Sequence, residues 1–329
     1  MRFGELSAWW RRRHYRRIRR DPLRDYAWAL VNIKTLGYEL ARLTAAAAPP
    51  VAPAEPPATA LLSKPCTQAD IESAWVAFWC AQVGVRPIYH RKVWELCYIA
   101  QALYEAGMLR PGRSGLGFGC GREPLPSLFA RYGCTVLATD LAPAAARAGK
   151  WIDTRQHAVG VDTVRNAEIC PDPAKLQNIA FRFVDMRHIP RDLDGAFDFC
   201  WSSCALEHLG SIAAGAAFIE NSLRALKPGG VAVHTTEFNL SETGDTLDYG
   251  DPVLFQRRHI EAIAAHLTAQ GNPIAPLDFD AGCGALDRYV DLPPWDPDLH
   301  CTSAPPPHLK ASVWGYRCTS FALIVRRGG

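Results

Sequence analysis

Three glycine or acid positions, each following a short apolar run, carry the clearest chemistry. Gly117-Phe-Gly-Cys-Gly121 sets glycines at alternate positions, which lets a ligand approach the backbone where a Cβ would collide. Alone, this pattern fits any nucleotide fold or a bare structural turn. Asp140 stands 19 residues after Gly121, where a carboxylate ending the next strand can accept both hydroxyls of a ribose. Asp185-Met186 ends a third run. An acid there can accept an exocyclic amine while the following N–H meets a ring nitrogen of adenine. His208, Glu237 and Asn239 follow the next two runs, at the edge where ligands bind in open α/β sheets.

Those residues need a scaffold, and from Ser114 onward short apolar runs alternate with helical ones, the signature of a parallel sheet with crossover helices. The runs predict strands at Ser114 to Phe118, Thr135 to Thr139, Ile179 to Val184, Phe197 to Trp201, Val231 to Thr235, Pro276 to Phe279 and Ser320 to Val325. Helices are expected near Pro124 to Tyr132, Ile212 to Leu226 and Arg258 to Ala269, with Lys227-Pro-Gly-Gly230 as a stop-and-turn signal. Two further helices, Gln68 to Gly84 and Val93 to Ala106, precede the sheet. The long connections Pro143 to Asn178 and Asp291 to Pro307 are candidate substrate walls.

Composition supports a folded chain of 329 residues, 48% hydrophobic and 21% charged, with enough apolar content for a core. The formal net charge of +3 conceals two unlike parts. Residues 1–44 hold 11 Lys/Arg against four acids, or +7, which leaves −4 for the remainder. Ala45 to Ala60 has eight Ala and five Pro in 16 residues, a spacer composition that sets a boundary. Before it, Tyr26, Leu30, Ile33, Leu36, Leu40 and Leu43 recur at helical spacing. Eleven scattered cysteines without a CxxC pair argue for a reducing compartment and against a disulfide framework or a zinc site. No apolar run reaches membrane-spanning length.

The segments from about Pro111 to Val325 resemble the class I S-adenosylmethionine-dependent methyltransferases. Phe197-Asp-Phe-Cys-Trp-Ser-Ser-Cys-Ala-Leu-Glu-His-Leu209 is similar to the family's fourth-strand segment, and Leu226-Lys-Pro-Gly-Gly-Val-Ala-Val-His-Thr-Thr-Glu-Phe-Asn239 to its fifth-strand entry. Thr235-Thr-Glu-Phe-Asn239, His308-Leu-Lys310 and Thr319-Ser320 resemble a bacterial subgroup met among surface-glycan biosynthesis proteins. The resemblance implies a doubly wound, mostly parallel seven-stranded Rossmann-like sheet with an N-terminal helical extension. It implies S-adenosyl-L-methionine as cofactor, held by Gly117, Gly119, Gly121, Asp140, Asp185, Met186 and Ser202. One position departs from the pattern: the acid usual two residues before the first glycine is Gly115. Glu123, at the following helix start, either replaces it or complements the helix dipole.

Dehydrogenases share the glycine turn and ribose acid, but Glu123 sits where their pyrophosphate would meet the helix N-terminus. Methyl transfer is an in-line displacement at an activated carbon, so a base is needed only for an acceptor such as a hydroxyl. His208 is the first candidate base, or else a histidine packed beneath the next helix. Glu207 orients it or lines the cofactor; Glu237 is a second catalytic candidate, and Asn239 and His308 are candidate acceptor contacts. The expected organisation is a basic helical leader at 1–44, a Pro/Ala linker at 45–60, a helical cap at 61–110 and the catalytic domain at 111–329. The expected reaction is methylation of a hydroxyl on a glycan or small molecule by a cytoplasmic enzyme without a metal. Alternatives are another metabolite or a nucleic acid as acceptor, or a silent cofactor-binding scaffold; specific nucleic-acid binding is not expected. Trp9-Trp10 and the arginines after them either touch anionic membrane, bind polyanions nonspecifically or form a solvated tail.

Overall fold

Seven strands form one sheet in the computed structural model, which describes residues 22–47, 51–145, 156–295 and 307–329. In chain order they are β1 (Ser114–Phe118), β2 (Thr135–Asp140), β3 (Ile179–Phe183), β4 (Phe197–Ser203), β5 (Leu226–Asn239), β6 (Ala311–Val313) and β7 (Tyr316–Arg326). Their order across the sheet is β3-β2-β1-β4-β5-β7-β6. The first five run parallel, and β7 pairs antiparallel with both β5 and β6. This is the expected doubly wound, mostly parallel Rossmann-like arrangement. The order reverses beside β1, so the connections after β1 and β4 leave on opposite sides and open a crevice at the strands' C-terminal ends.

Alternation along the central strands explains why both faces are apolar. Phe199, Trp201, Val231 and Val233 join one core cluster, with helices α2 (Ala74–Gln82), α3 (Arg91–Glu105) and α4 (Leu125–Arg131). Cys200, Ala232, Leu323 and Val325 face the other, under α5 (Ile212–Leu223) and α6 (Arg257–Ala269). The helices expected at 61–110 therefore pack directly on the sheet. Gln68 to Gly84 is two helices, because Ser73 accepts a hydrogen bond from Val76 N and starts a new one.

Three strand expectations change. Pro276–Phe279 contributes only an isolated bridge at Leu277, and the short Ala311–Val313 takes the sheet position through its hairpin with β7. Lys227-Pro-Gly-Gly230 lies inside β5 as an irregularity, with the β4 register shifting between Phe197 and Phe199. The Pro/Ala segment is tied to α3: Thr59 N donates to Glu105 at 2.7 Å, and Gln101 Nε2 donates to Pro57 O at 2.7 Å. Ahead of it, α1 (Pro22–Ala47) takes the helical segment expected before the spacer, while the basic stretch Arg11 to Arg20 lies outside the described residues. Among the described residues, no helix is long and apolar enough to cross a membrane.

Candidate active site

A cleft of about 1380 Å³ opens along the C-terminal ends of β1, β2, β4 and β5. On its β1 side the glycine turn is shaped by two aromatic rings of β4. A Cβ on Gly115 would lie 2.3 Å from the Phe199 ring, and one on Gly117 2.5 Å from Trp201. Both glycines thus make room for neighbouring side chains, and Gly117 does not line the cleft. Gly119 and Gly121 do line it, at φ +59° and +54°, which other residues rarely adopt. A Cβ on Gly119 would come within 3.0 Å of Ala205 and 3.4 Å of the Met186 sulfur.

Asp140 ends β2 with its carboxylate on three backbone N–H groups: Leu141 at 2.7 Å, Ala158 at 2.9 Å and Gly121 at 3.2 Å. A carboxylate has about four acceptor sites, so capacity for roughly one further donor remains. Asp185 also lines the cleft, accepting from Arg187 N at 3.0 Å and from the Arg187 guanidinium. Glu123 enters from the turn and accepts from Trp201 Nε1 at 2.6 Å. Burial pushes its carboxyl up to about 8, against the Trp201 hydrogen bond, which favours the charged form.

The β4–β5 side is built from side chains. Arg91, at the start of α3, pairs with Glu237 of β5, lies 3.4 Å from Glu95 and donates to Ser320 Oγ at 3.2 Å. Ser203 Oγ donates to Glu95 at 3.0 Å, and the Cys204 thiol does so at 3.1 Å. Burial opposes ionisation of Glu95, but Lys92 and Arg91 hold it down to about 2. Glu237 lines the cleft, and its Oε2 is buried without a hydrogen-bond partner. His208 follows in the wall with Nδ1 on Asp251 and Nε2 4.0 Å from Glu207 Oε1. Glu207 is fully buried, which raises its carboxyl, while His208 opposes that rise.

The structure thus gathers Gly119, Gly121, Glu123, Asp140, Asp185, Met186, His208 and Glu237 around one cleft. Besides Gly117, three expected residues lie outside that lining. Ser202 is buried on the opposite face of β4, bonded to His234 Nδ1 at 2.8 Å, because alternate strand residues point to opposite sides. Asn239 is buried and tied to Thr246 and to Ser241 N. His308 places Nδ1 2.7 Å from Asp291 and stacks on His90, away from the cleft lining. Sequence reasoning missed Arg91, Glu95, Cys204 and Asp251. Only the first two carried a signal, an i,i+4 charge pair, hidden by starting that helix at Val93.

The chain matches a family model described as a methyltransferase domain over residues 90–269, more than half its length. No curated protein matches it. Similar solved structures include magnesium protoporphyrin IX methyltransferase from Synechocystis, at 15% identity over 70% of this chain and 81% of that one, with a TM-score of 0.41. Another is 1,6-didemethyltoxoflavin-N1-methyltransferase from Burkholderia thailandensis, at 15% identity, 70% and 76% coverage and a TM-score of 0.39. The cleft fits the cofactor's chemistry, since Gly119 leaves a space that a Cβ would fill, and Glu123, Asp140 and Asp185 offer carboxyls to an amino group, hydroxyls and an exocyclic amine. The chain belongs to the class I S-adenosylmethionine-dependent methyltransferases, with S-adenosylmethionine as its cofactor.

Proposed function

We propose that this enzyme methylates a hydroxyl oxygen, with His208 as the base and Asp251 as the residue that orients it. The carrying observation is the placement of His208 in the cleft wall with Nδ1 on the Asp251 carboxylate. That contact selects the tautomer with the proton on Nδ1, leaving Nε2 to accept one. A proton taken at Nε2 gives an imidazolium between two carboxyl groups, Asp251 and Glu207. An amine acceptor is already nucleophilic once neutral, whereas a hydroxyl gains from proton removal during attack.

Bound S-adenosylmethionine supplies an activated methyl group. In this reading Gly119 and Gly121 leave the backbone approachable, Asp140 accepts from the ribose and Asp185 from the adenine amine. Glu123 takes the place of the acid usual at Gly115. Phe199 fills the space above Gly115, and Trp201 holds Glu123 at the cleft. Glu237 is a binding group more than a base: Arg91 neutralises its Oε1, and Oε2 is left without a hydrogen-bond partner that an acceptor hydroxyl would supply. These groups suit a hydroxyl-rich acceptor such as a glycan or a small polar metabolite.

The test is an acceptor screen with labelled methyl donor, followed by His208→Gln and Asp251→Asn on the acceptor found. Each variant should bind S-adenosylmethionine normally and lose about 10²–10⁴-fold in turnover. Full turnover by His208→Gln sinks the base assignment.

A further inference from the structure

We propose that α1 is a docking helix for an anionic lipid surface, and that it is fixed beside the wall of the catalytic cleft. The inner side of α1 is secured by a buried ion pair and a close contact. Lys34 Nζ lies 2.8 Å from Asp291 Oδ1, with both side chains nearly inaccessible, and Gly37 packs against the Tyr289 ring. Asp291 also holds His308 and begins the segment whose Pro293 and Trp295 line the cleft. The helix is therefore seated on the same stretch of chain that forms the acceptor wall.

An adjoining face of α1 points outward. Tyr26, Ile33, Leu36, Leu40 and Leu43 follow one another at spacings of seven, three, four and three, which makes one stripe on a helix. Leu36 is 70% exposed, Tyr26 61% and Leu43 57%. A soluble helix normally turns such a stripe inward; here the inward side holds Lys34 and Gly37 instead. Ile33 and Leu40 are less open, at 43% and 37% exposed, and the stripe as a whole faces outward among the described residues.

Charge selects the occupant. The stripe carries no ionic residue, and α1 has few charges with which to specify a second copy through flanking ion pairs. Residues 1–24, which run into the first turn of α1, contain nine arginines and two acids, together with Trp9 and Trp10. Apolar side chains for the acyl boundary, aromatic residues for the headgroup level and arginines for anionic headgroups are the three ingredients of interfacial attachment.

The experiment is co-sedimentation of the full chain with vesicles of phosphatidylcholine alone or mixed with phosphatidylglycerol, alongside a Leu36→Glu/Leu40→Glu double variant. Neither position lines the cleft, and unchanged S-adenosylmethionine binding confirms that the variant is folded. The parent should bind mixed vesicles, bind phosphatidylcholine vesicles weakly and release from mixed ones as salt rises. The variant should bind mixed vesicles at least about tenfold less, since two leucines no longer enter the apolar layer. Equal binding by parent and variant overturns the role of α1 and leaves the arginines acting alone. Absence of vesicle binding by the parent overturns the proposal outright, as does a dimer in light scattering that the variant converts to monomer without any change in vesicle binding. Equal binding to both vesicle types removes the anionic requirement.

Discussion

The two halves of the cleft are built by opposite means. The β1–β2 half presents mainly backbone: two glycines at positive φ and a carboxylate that gathers the N–H groups of Gly121, Leu141 and Ala158. The β4–β5 half presents side chains drawn from distant segments, with Arg91 from α3, Glu237 from β5, Ser320 from β7 and Asp251 from the loop ahead of α6. The first half is local in sequence and set by strand ends. The second exists only once the sheet has brought four separate segments together. A site on backbone can recognise one fixed ligand, while a site on side chains can change its acceptor by substitution without disturbing that ligand.

The largest expected effect tests whether the halves are separable. Arg91→Met would leave Glu237 as an uncompensated charge and Glu95 with Lys92 alone in a buried setting, which costs about 3–5 kcal/mol. In a domain this size that is roughly a 10 °C fall in Tm by calorimetry. S-adenosylmethionine affinity of the folded fraction should change little. Adding Glu237→Gln should recover part of the loss, because one orphaned charge goes with it. If cofactor affinity fell in step with stability, the two halves would be one unit and the comparison would fail.

Asp140→Asn sharpens the other half. The amide keeps one acceptor oxygen and brings an NH2 where the other carboxylate oxygen met an N–H, so the Leu141 contact to Oδ1 and the Gly121 and Ala158 contacts to Oδ2 cannot all persist. Loss of charged hydrogen bonds on this scale should weaken S-adenosylmethionine binding about 10–100-fold by calorimetry. Acceptor affinity at saturating cofactor should stay near its parent value. A similar loss for both ligands would place Asp140 in a framework role shared across the cleft.

Legibility in the sequence followed the same division. Bounds of β1 matched at both ends, and β2, β3 and β4 differed from expectation by one or two residues, since each is a short apolar run flanked by turn residues. Pro276–Phe279 misled because apolar character alone does not supply a ladder. Pro276 has no N–H to give, whereas Ala311–Val313, too short to stand out, is held by its hairpin. Gly119, Gly121, Asp140, Asp185 and Met186 were readable as cleft-lining positions because the cleft runs along the strand ends. Asp251 was not, because nothing near it in sequence announces a histidine 43 residues earlier. Ser202 failed on parity: a strand end fixes depth along the sheet, and the face is decided one residue at a time.

The smallest effect bears on the one acid that crosses between the halves. Glu123 leaves the glycine turn, yet its carboxyl is held by Trp201 of β4. In the unfolded chain it loses its proton around 4.5, and in the folded protein around 8. Between those values the folded state binds more protons than the unfolded, so this group's contribution to stability is complete below 4.5 and is lost as pH rises to about 8. Glu123→Gln keeps an oxygen for the Trp201 indole and removes the titration. Partial exposure tempers the effect, so the variant without cofactor should gain about 1 kcal/mol, or 3 °C in Tm, at neutral pH. That gain should shrink toward acid pH. If Glu123 meets the cofactor's amino group, parent affinity for S-adenosylmethionine should rise between about pH 6 and 7.5 as the carboxylate forms, and the glutamine variant should bind more weakly with a flat profile. A stabilised variant with parent affinity would confine Glu123 to the packing of Trp201 and return the amino-group contact to the residues of the β1–β2 half.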